Sequence, residues 1–325
     1  MKTLDQLMAT VSQEGRADNP DPAGLDLLLY SPCPVKLAVK EKLDAIVRAS
    51  EAAGDPLKIH IPMGCTSVDP YDPLHLETDP ARLPAIIASI GFGDFFRKGF
   101  RERFIDTGLF EAVPPKRVTP LHERAGVVDP EGRYTVYALT PYIFMVDLDR
   151  LGDVPPPRRW EDLLDPRYKG QINMCGDGDD MADAVLMSIC QSFGMEGIGR
   201  LAANSHGLMH SSRMGKSGGS ARGGGIYILP YFFAETSRQP DNIRVIWPED
   251  GTAASPIYFL ARPDARPRID PLLTSSRAAS ARFRAAAGSC PWAGRCPIPC
   301  RPARRSSGWG GTSSASGTSP PCGTS

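Results

Sequence analysis

Four consecutive stretches decide the fold class. Leu25-Asp26-Leu27-Leu28-Leu29-Tyr30 is a short apolar run, Ser31-Pro32-Cys33-Pro34 interrupts it, Val39, Leu43, Ile46 and Val47 then recur at i, i+4, i+7 and i+8, and Lys58 to Met63 forms a second short run. A short run bounded by breakers reads as a buried strand, and the spaced residues mark one face of a helix. Gly54-Asp55-Pro56 ends that helix. Strand, helix and strand in this order form a β-α-β unit, which demands parallel strands and an α/β sheet.

The same grammar continues outward. Pro84 to Ser89 reads as a strand, Gly91-Phe92-Gly93 as a tight loop, and Asp94 as the N-cap of a following helix. Tyr134 to Val146 is β-rich and interrupted by Pro141, which suits a strand crossing between two lobes. Pro155-Pro156-Pro157 is a stiff spacer, Trp160 to Leu164 a short helix, and Gln171 to Met174 a strand. Met181 to Phe193 reads as a helix burying Ala184, Met187 and Cys190. Ile226 to Leu229 and Ile257 to Ala261 complete the strands, and the glycine-rich run around Arg222 reads as a flexible connector.

Charge and hydropathy narrow the function. The chain has 325 residues with formal net charge zero, but residues 275–325 hold seven of its basic residues and none of its acidic ones. Residues 1–274 are therefore acidic, near −7, which argues against nucleic acid or an anionic membrane as partner. No segment reaches the roughly 18 apolar residues of a spanning helix. Met1 to Asn19 lacks the basic, apolar and small-residue order of a secretion signal, so either the signal is missing from this reading frame or the protein is not exported.

Trp160-Glu161-Asp162-Leu163-Leu164-Asp165-Pro166-Arg167-Tyr168-Lys169-Gly170-Gln171-Ile172 resembles the run that opens the second lobe of bacterial solute-binding proteins of the type 2 periplasmic-binding fold, in their iron, thiamine and polyamine branch. Ile87 to Phe96, Thr140 to Asp149, Ile226 to Phe233 and Gly251 to Leu260 support the resemblance, which spans roughly residues 25–273. It implies an α/β, two-lobed fold with crossover hinge strands: a polar segment 1–23, lobe 1 over 24–136, lobe 2 over 137–250, a return strand over 251–274 and a tail over 275–325. It further implies a monomeric, non-enzymatic binding subunit of an ABC-type importer, in the periplasm or otherwise outside the cytoplasm, with a membrane permease as partner. The alternatives are an enzyme built on the same fold and a non-functional product of a broken gene. Ligands in open α/β sheets bind at the carboxyl ends of the strands, and lobes joined by crossovers close on them.

The expected ligand-facing residues are therefore loop residues. In lobe 1 they are Ser31 and Cys33, then Gly64, Cys65 and Thr66, then Gly91, Phe92 and Gly93. In lobe 2 they are Tyr142, Cys175, Gly176, Asp177, His210 and Tyr231. Cys33, Cys65 and Cys175 follow strands, and three thiolates around one cleft select a transition metal, a metal chelate or an iron–sulfur species as cargo. The competing reading is that small, frequently buried cysteines simply suit tight loops, and no CxxC or His-pair spacing marks a local metal site. No resident cofactor is indicated. Asp177, Asp179 and Asp180 offer oxygen ligands for a hard cation, and equally the acidic start that a helix prefers. His60 lies within a strand and reads as a packed histidine.

The tail differs in kind. Residues 275–325 contain one Ile, no Leu, no Val and no Met, and hold four of the eight cysteines. Such a composition buries too little apolar surface to order itself and looks like a GC-rich gene read in the wrong frame. With one nucleotide lost near Leu273, the codons of Thr274–Ala278 permit Asp-Phe-Leu-Thr-Gly and those of Ser307–Ser313 permit Trp-Leu-Gly-Trp-Asp-Phe.

Overall fold

The computed structural model describes residues 20–62, 71–113, 128–176, 182–217, 223–236 and 241–273. Its strands are β1 (Leu27–Leu29), β2 (Ile59–His60), β3 (Ile86–Ile90), β4 (Thr135–Asp147), β5 (Ile172–Met174), β6 (Ser205–Leu208), β7 (Ile226–Pro230), β8 (Ile243–Ile246) and β9 (Ala254–Ala261). The longer helices are α1 (Cys33–Ala52), α2 (Asp183–Asn204), α3 (Ser211–Ser217), α4 (Tyr231–Thr236) and α5 (266–273). The described strands form one mixed sheet in the order β2-β1-β3-β9-β4-β7-β5-β6, with β8 paired to β4. The N-terminal 19 residues and the tail expected to be out of frame lie outside the described residues.

Lobe 1 follows from the run that opened the sequence. Strands β2, β1 and β3 pair in parallel. Successive residues point to opposite faces, and both faces are buried. Leu27 and Leu29 of β1, Ile86 and Ala88 of β3, and Phe259 of β9 share one cluster, while Leu28, Ile87 and Tyr258 share the other. That two-sided burial is why these strands read as continuous apolar runs rather than alternating ones. Arg268 of α5 ties the return segment down, its Nε 2.6 Å from Asp26 Oδ1.

The crossover is made by β4 and β9. Residues 135–141 of β4 pair antiparallel with β9, whereas 142–146 pair antiparallel with β7. One 13-residue strand thus belongs to both lobes, and β9 returns beside it to pair with β3. Where the ladder changes partner, at Pro141 and Tyr142, the polar groups are enclosed. Tyr142 N–H donates to Ala253 O at 2.9 Å, its phenol lies 3.0 Å from Ser255 Oγ, and Thr252 Oγ1 donates to Tyr142 O.

Lobe 2 is built around β7, β5 and β6, all parallel. The tryptophan motif is its structural clasp. The Trp160 ring meets Phe144 edge-on at 4.9 Å and its Nε1–H donates to Gly251 O at 2.8 Å. Asp165 caps the turn Pro166–Tyr168, and Asn204 at the end of α2 donates to Leu163 O and Asp165 O. The described end of the glycine-rich run, Gly223 to Gly225, is closely packed. A Cβ on Gly224 would stand 2.1 Å from Gln171 O, so only glycine lets β7 enter beside β5.

Two local expectations are corrected, and two strands stand where none was expected: β6 is Ser-His-Gly-Leu and half exposed, and β8 is only the four residues Ile-Arg-Val-Ile. Helix α2 buries Ala184, Val185 and Ile189, leaving Met187 54% exposed and Cys190 at the surface margin, because neighbours and not the helix's own pattern set its phase. Asp94 begins a 3-10 turn, whose N-cap is Gly93.

Two outcomes follow from this packing. Tyr142→Phe leaves the fully buried Ser255 hydroxyl without its phenol partner and is expected to cost about 1–2 kcal/mol in urea unfolding. His60 packs against the Tyr71 ring at 5.2 Å, its Nε2 has no hydrogen-bond partner among the described residues, and burial lowers its pKa. The unfolded chain then takes up a proton first, so stability is expected to fall as pH drops below about 6.5 towards the folded-state value. Unfolding curves of His60→Phe should lack that component.

Candidate interlobe ligand site

The carboxyl ends of β1, β3, β5, β6 and β7 each lead into a loop expected to face ligand. Behind β1, Tyr30 and Ser31 run into α1, whose first residue is Cys33. This 20-residue helix has Pro32 as N-cap, no side-chain cap hydrogen bond and no acidic residue in its first turn. Pro34 has no N–H and Val35 N–H donates to Pro32 O at 3.0 Å, so it is chiefly the helix dipole that leaves a positive end here. Lys36, one turn in, is 6% exposed and its ammonium donates to Pro62 O at 2.7 Å.

Behind β3, Gly91 takes a left-handed conformation at φ +84° and its N–H donates to Pro256 O. That turn aims Phe92 out of lobe 1 and onto the lobe 2 core, where it packs as a partly buried side chain. Phe92 also meets Phe96 edge-on at 5.4 Å, and Phe96 stacks on Tyr134 at 4.2 Å. The Asp94 carboxylate, two residues on, lies 3.4 Å from His75 Nδ1 and 3.2 Å from Arg97 Nε.

Lobe 2 answers with its own loops. Asp183, in the first turn of α2, is half-buried. Burial pushes its carboxyl above the usual range, the Arg97 guanidinium pulls it down, and Asp94 raises it again. Charges from the two lobes thus act on one another here. After β6, His210 precedes α3, and both the N–H and the hydroxyl of Ser212 approach its Nδ1, at 3.2 and 2.9 Å. A backbone N–H only donates, so Nδ1 is the acceptor and the proton of the neutral ring sits on Nε2. After β7, Tyr231 packs on Trp247 with centroids 4.8 Å apart, and α4 touches α1 of the other lobe.

The expected site residues divide into three groups. Ser31, Gly91, Phe92, Gly93, Gly176 and His210 stand in strand-end loops, and Tyr231 opens α4 directly after β7. Cys175 and Tyr142 are fully buried, Cys175 in the lobe 2 core and Tyr142 at the crossover, so neither presents surface to a ligand in this conformation. Gly64, Cys65, Thr66 and Asp177, with the side chain of Cys33, lie outside the described residues. No group of three His, Cys, Asp or Glu side chains among the described residues is close enough to hold a metal. Lys36, His75, Asp94, Arg97, Asp183 and Ser212 carried no local signal of a site role. A lysine interrupting the apolar face of α1 was the one trace available.

Two α/β lobes on shared crossover strands, with strand-end loops converging between them, define a ligand-binding clamp. The family model for bacterial extracellular solute-binding proteins matches residues 81–292, more than half of the chain. The chain belongs to that family, the solute-binding components of ABC-type importers. Solved structures agree at the level of fold. The periplasmic binding protein AfuA from Actinobacillus pleuropneumoniae, with fructose-6-phosphate bound, is 16% identical with a TM-score of 0.50 over 74% of this chain and 73% of its own. Iron-bound HitA from Pseudomonas aeruginosa is 12% identical with a TM-score of 0.50 over 73% of this chain and 74% of its own. A comparison with curated proteins finds no match. No helix among the described residues is long and apolar enough to cross a membrane.

Phe92 is the only lobe 1 side chain that packs against the lobe 2 core cluster in the described residues. Phe92→Ala is expected to loosen the closed state and weaken solute binding about tenfold, with the unfolding midpoint almost unchanged. Calorimetric titration beside thermal unfolding separates the two effects.

Proposed function

We propose that this chain captures a small anionic solute between its lobes, outside the cytoplasm, and passes it to an ABC permease as a monomeric, non-enzymatic carrier. The observation that supports the ligand class is the head of α1. A 20-residue helix without a side-chain cap or a first-turn acid starts at the end of β1, with the Lys36 ammonium enclosed one turn in. A positive helix end and a buried cation beside a strand end suit a phosphate, carboxylate or similar oxyanion. Tyr231 and α4 approach from lobe 2, and Phe92 excludes water from the seam. Closure then draws on the ligand's differential affinity for the shut state.

A second reading keeps the thiolates of Cys33, Cys65 and Cys175, with His210, as donors to a transition metal, metal chelate or iron–sulfur cargo. What favours it is the place of Cys33 as first residue of α1, where the helix dipole stabilises a thiolate. The burial of Cys175 weighs against a three-thiolate set.

Titration of the purified protein with phosphate, a sugar phosphate, citrate and ferric or cuprous ions separates the readings. On the anion reading, Lys36→Met weakens the best anion about tenfold or more, as loss of a charge-assisted contact implies, and Cys33→Ser leaves it unchanged. Metal uptake lost in Cys33→Ser and Cys65→Ser, with no anion bound by the parent, would overturn it in favour of the thiolates.

A further inference from the structure

Helix α2 carries three sulfur side chains at its surface, and a break in the helix brings two of them together. Met187 is 54% exposed and Met195 72% exposed. A single exposed apolar side chain needs no explanation, but here two thioethers flank Cys190, which is partly exposed and forms no disulfide. The Cys190 Sγ lies 3.9 Å from Met195 Sδ.

The backbone makes this pair. Residues five apart on an uninterrupted α-helix point about 140° away from each other, so Met195 would face away from Cys190. Gly194 breaks the helix with φ 65° and ψ −168°, a conformation essentially confined to glycine. The chain turns there, and Met195 comes back beside the thiol of the preceding turn. Met187 stands three residues before Cys190 in the regular first half of α2, and side chains at that spacing are neighbours on one helix face.

Spacing and chemistry together fit a soft cation. Two sulfurs about 2.3 Å from a metal stand about 3.8 Å apart at a tetrahedral ion and about 4.0 Å apart at a trigonal one. The 3.9 Å between Cys190 and Met195 falls between these, so the pair shares an ion without rearrangement. Thioether sulfur favours Cu(I) over magnesium, calcium or manganese. Among the described residues no group of three His, Cys, Asp or Glu side chains gathers to hold a metal by the commoner donors. We propose that Cys190, Met195 and Met187 form a binding site for a soft monovalent cation, Cu(I) or Ag(I), on the solvent-exposed face of α2. On binding, the Cys190 thiol releases its proton to solvent and its sulfur donates an electron pair to the cation. Thiolate and cation then cancel in charge, and the two neutral thioethers complete the donor set. Asp183, at the head of α2, lies about two turns before Cys190, so this site is separate from the interlobe seam and from Cys33, Cys65 and Cys175.

The test follows the full chain, its methionine methyl groups labelled with carbon-13, by NMR during anoxic titration with Ag(I). Met187→Leu and Met195→Leu assign the two signals. Ag(I) is expected to shift both together. In Cys190→Ser both shifts are expected to vanish, while the methionine spectrum before titration keeps its parent positions and so reports an intact fold. In Met187→Leu the Met195 shift is expected to need about tenfold more free Ag(I). Signals of Met187 and Met195 that ignore Ag(I), or that move equally in Cys190→Ser, would overturn the site. A Met195 titration unchanged by Met187→Leu would overturn the three-sulfur set, and an equal response to Zn(II) would overturn the preference for a soft cation.

Discussion

The paired crossover of β4 and β9 is the constraint on which the rest depends. Two lobes, each with its own parallel strands, become one protein because β4 hands its backbone hydrogen bonds from β9 to β7 at Pro141 and Tyr142. Proline lacks a donor and is disruptive inside a ladder, but at the point where the ladder changes partner its missing N–H costs little. The enclosed contacts of Tyr142, Thr252 and Ser255 fix that point while the lobes on either side remain separately cored. A hinge is a place where few residues absorb a change while packed bodies stay intact, and the crossover has that form.

The site's chemistry follows from the same topology. Parallel strands in each lobe bring their carboxyl ends, with the helix starts behind them, to the seam between lobes. Positive helix ends, a buried ammonium and a few paired carboxylates collect there without any local motif. The cluster of His75, Asp94, Arg97 and Asp183 draws on three separate stretches of chain and on both lobes. Its members are ordinary surface residues in one dimension and become neighbours only through the fold. Membership in a solute-binding family accords with such a seam.

The two faces of the lobe 1 sheet are covered by different elements. One face is sealed by aromatic side chains contributed from Phe95 to Phe110. The other packs against α1 and α5.

The sequence by itself determined the elements whose burial is two-sided or whose motif is self-contained. The leucine run of β1, the long strand through Pro141, the tryptophan clasp and the return strand are all legible, because both faces of a strand or a run of local caps constrain adjacent residues. Only the tertiary structure decided the rest. It set the phase of α2, made strands of Ser205–Leu208 and Ile243–Ile246, and packed Gly224 tightly against Gln171. It also placed Cys175 and Tyr142 in the interior rather than at the cleft. A strand with weak propensity forms when a neighbouring edge offers hydrogen bonds, and a loop side chain turns inward or outward according to what the other lobe presents. Neither influence is written in the residues beside it.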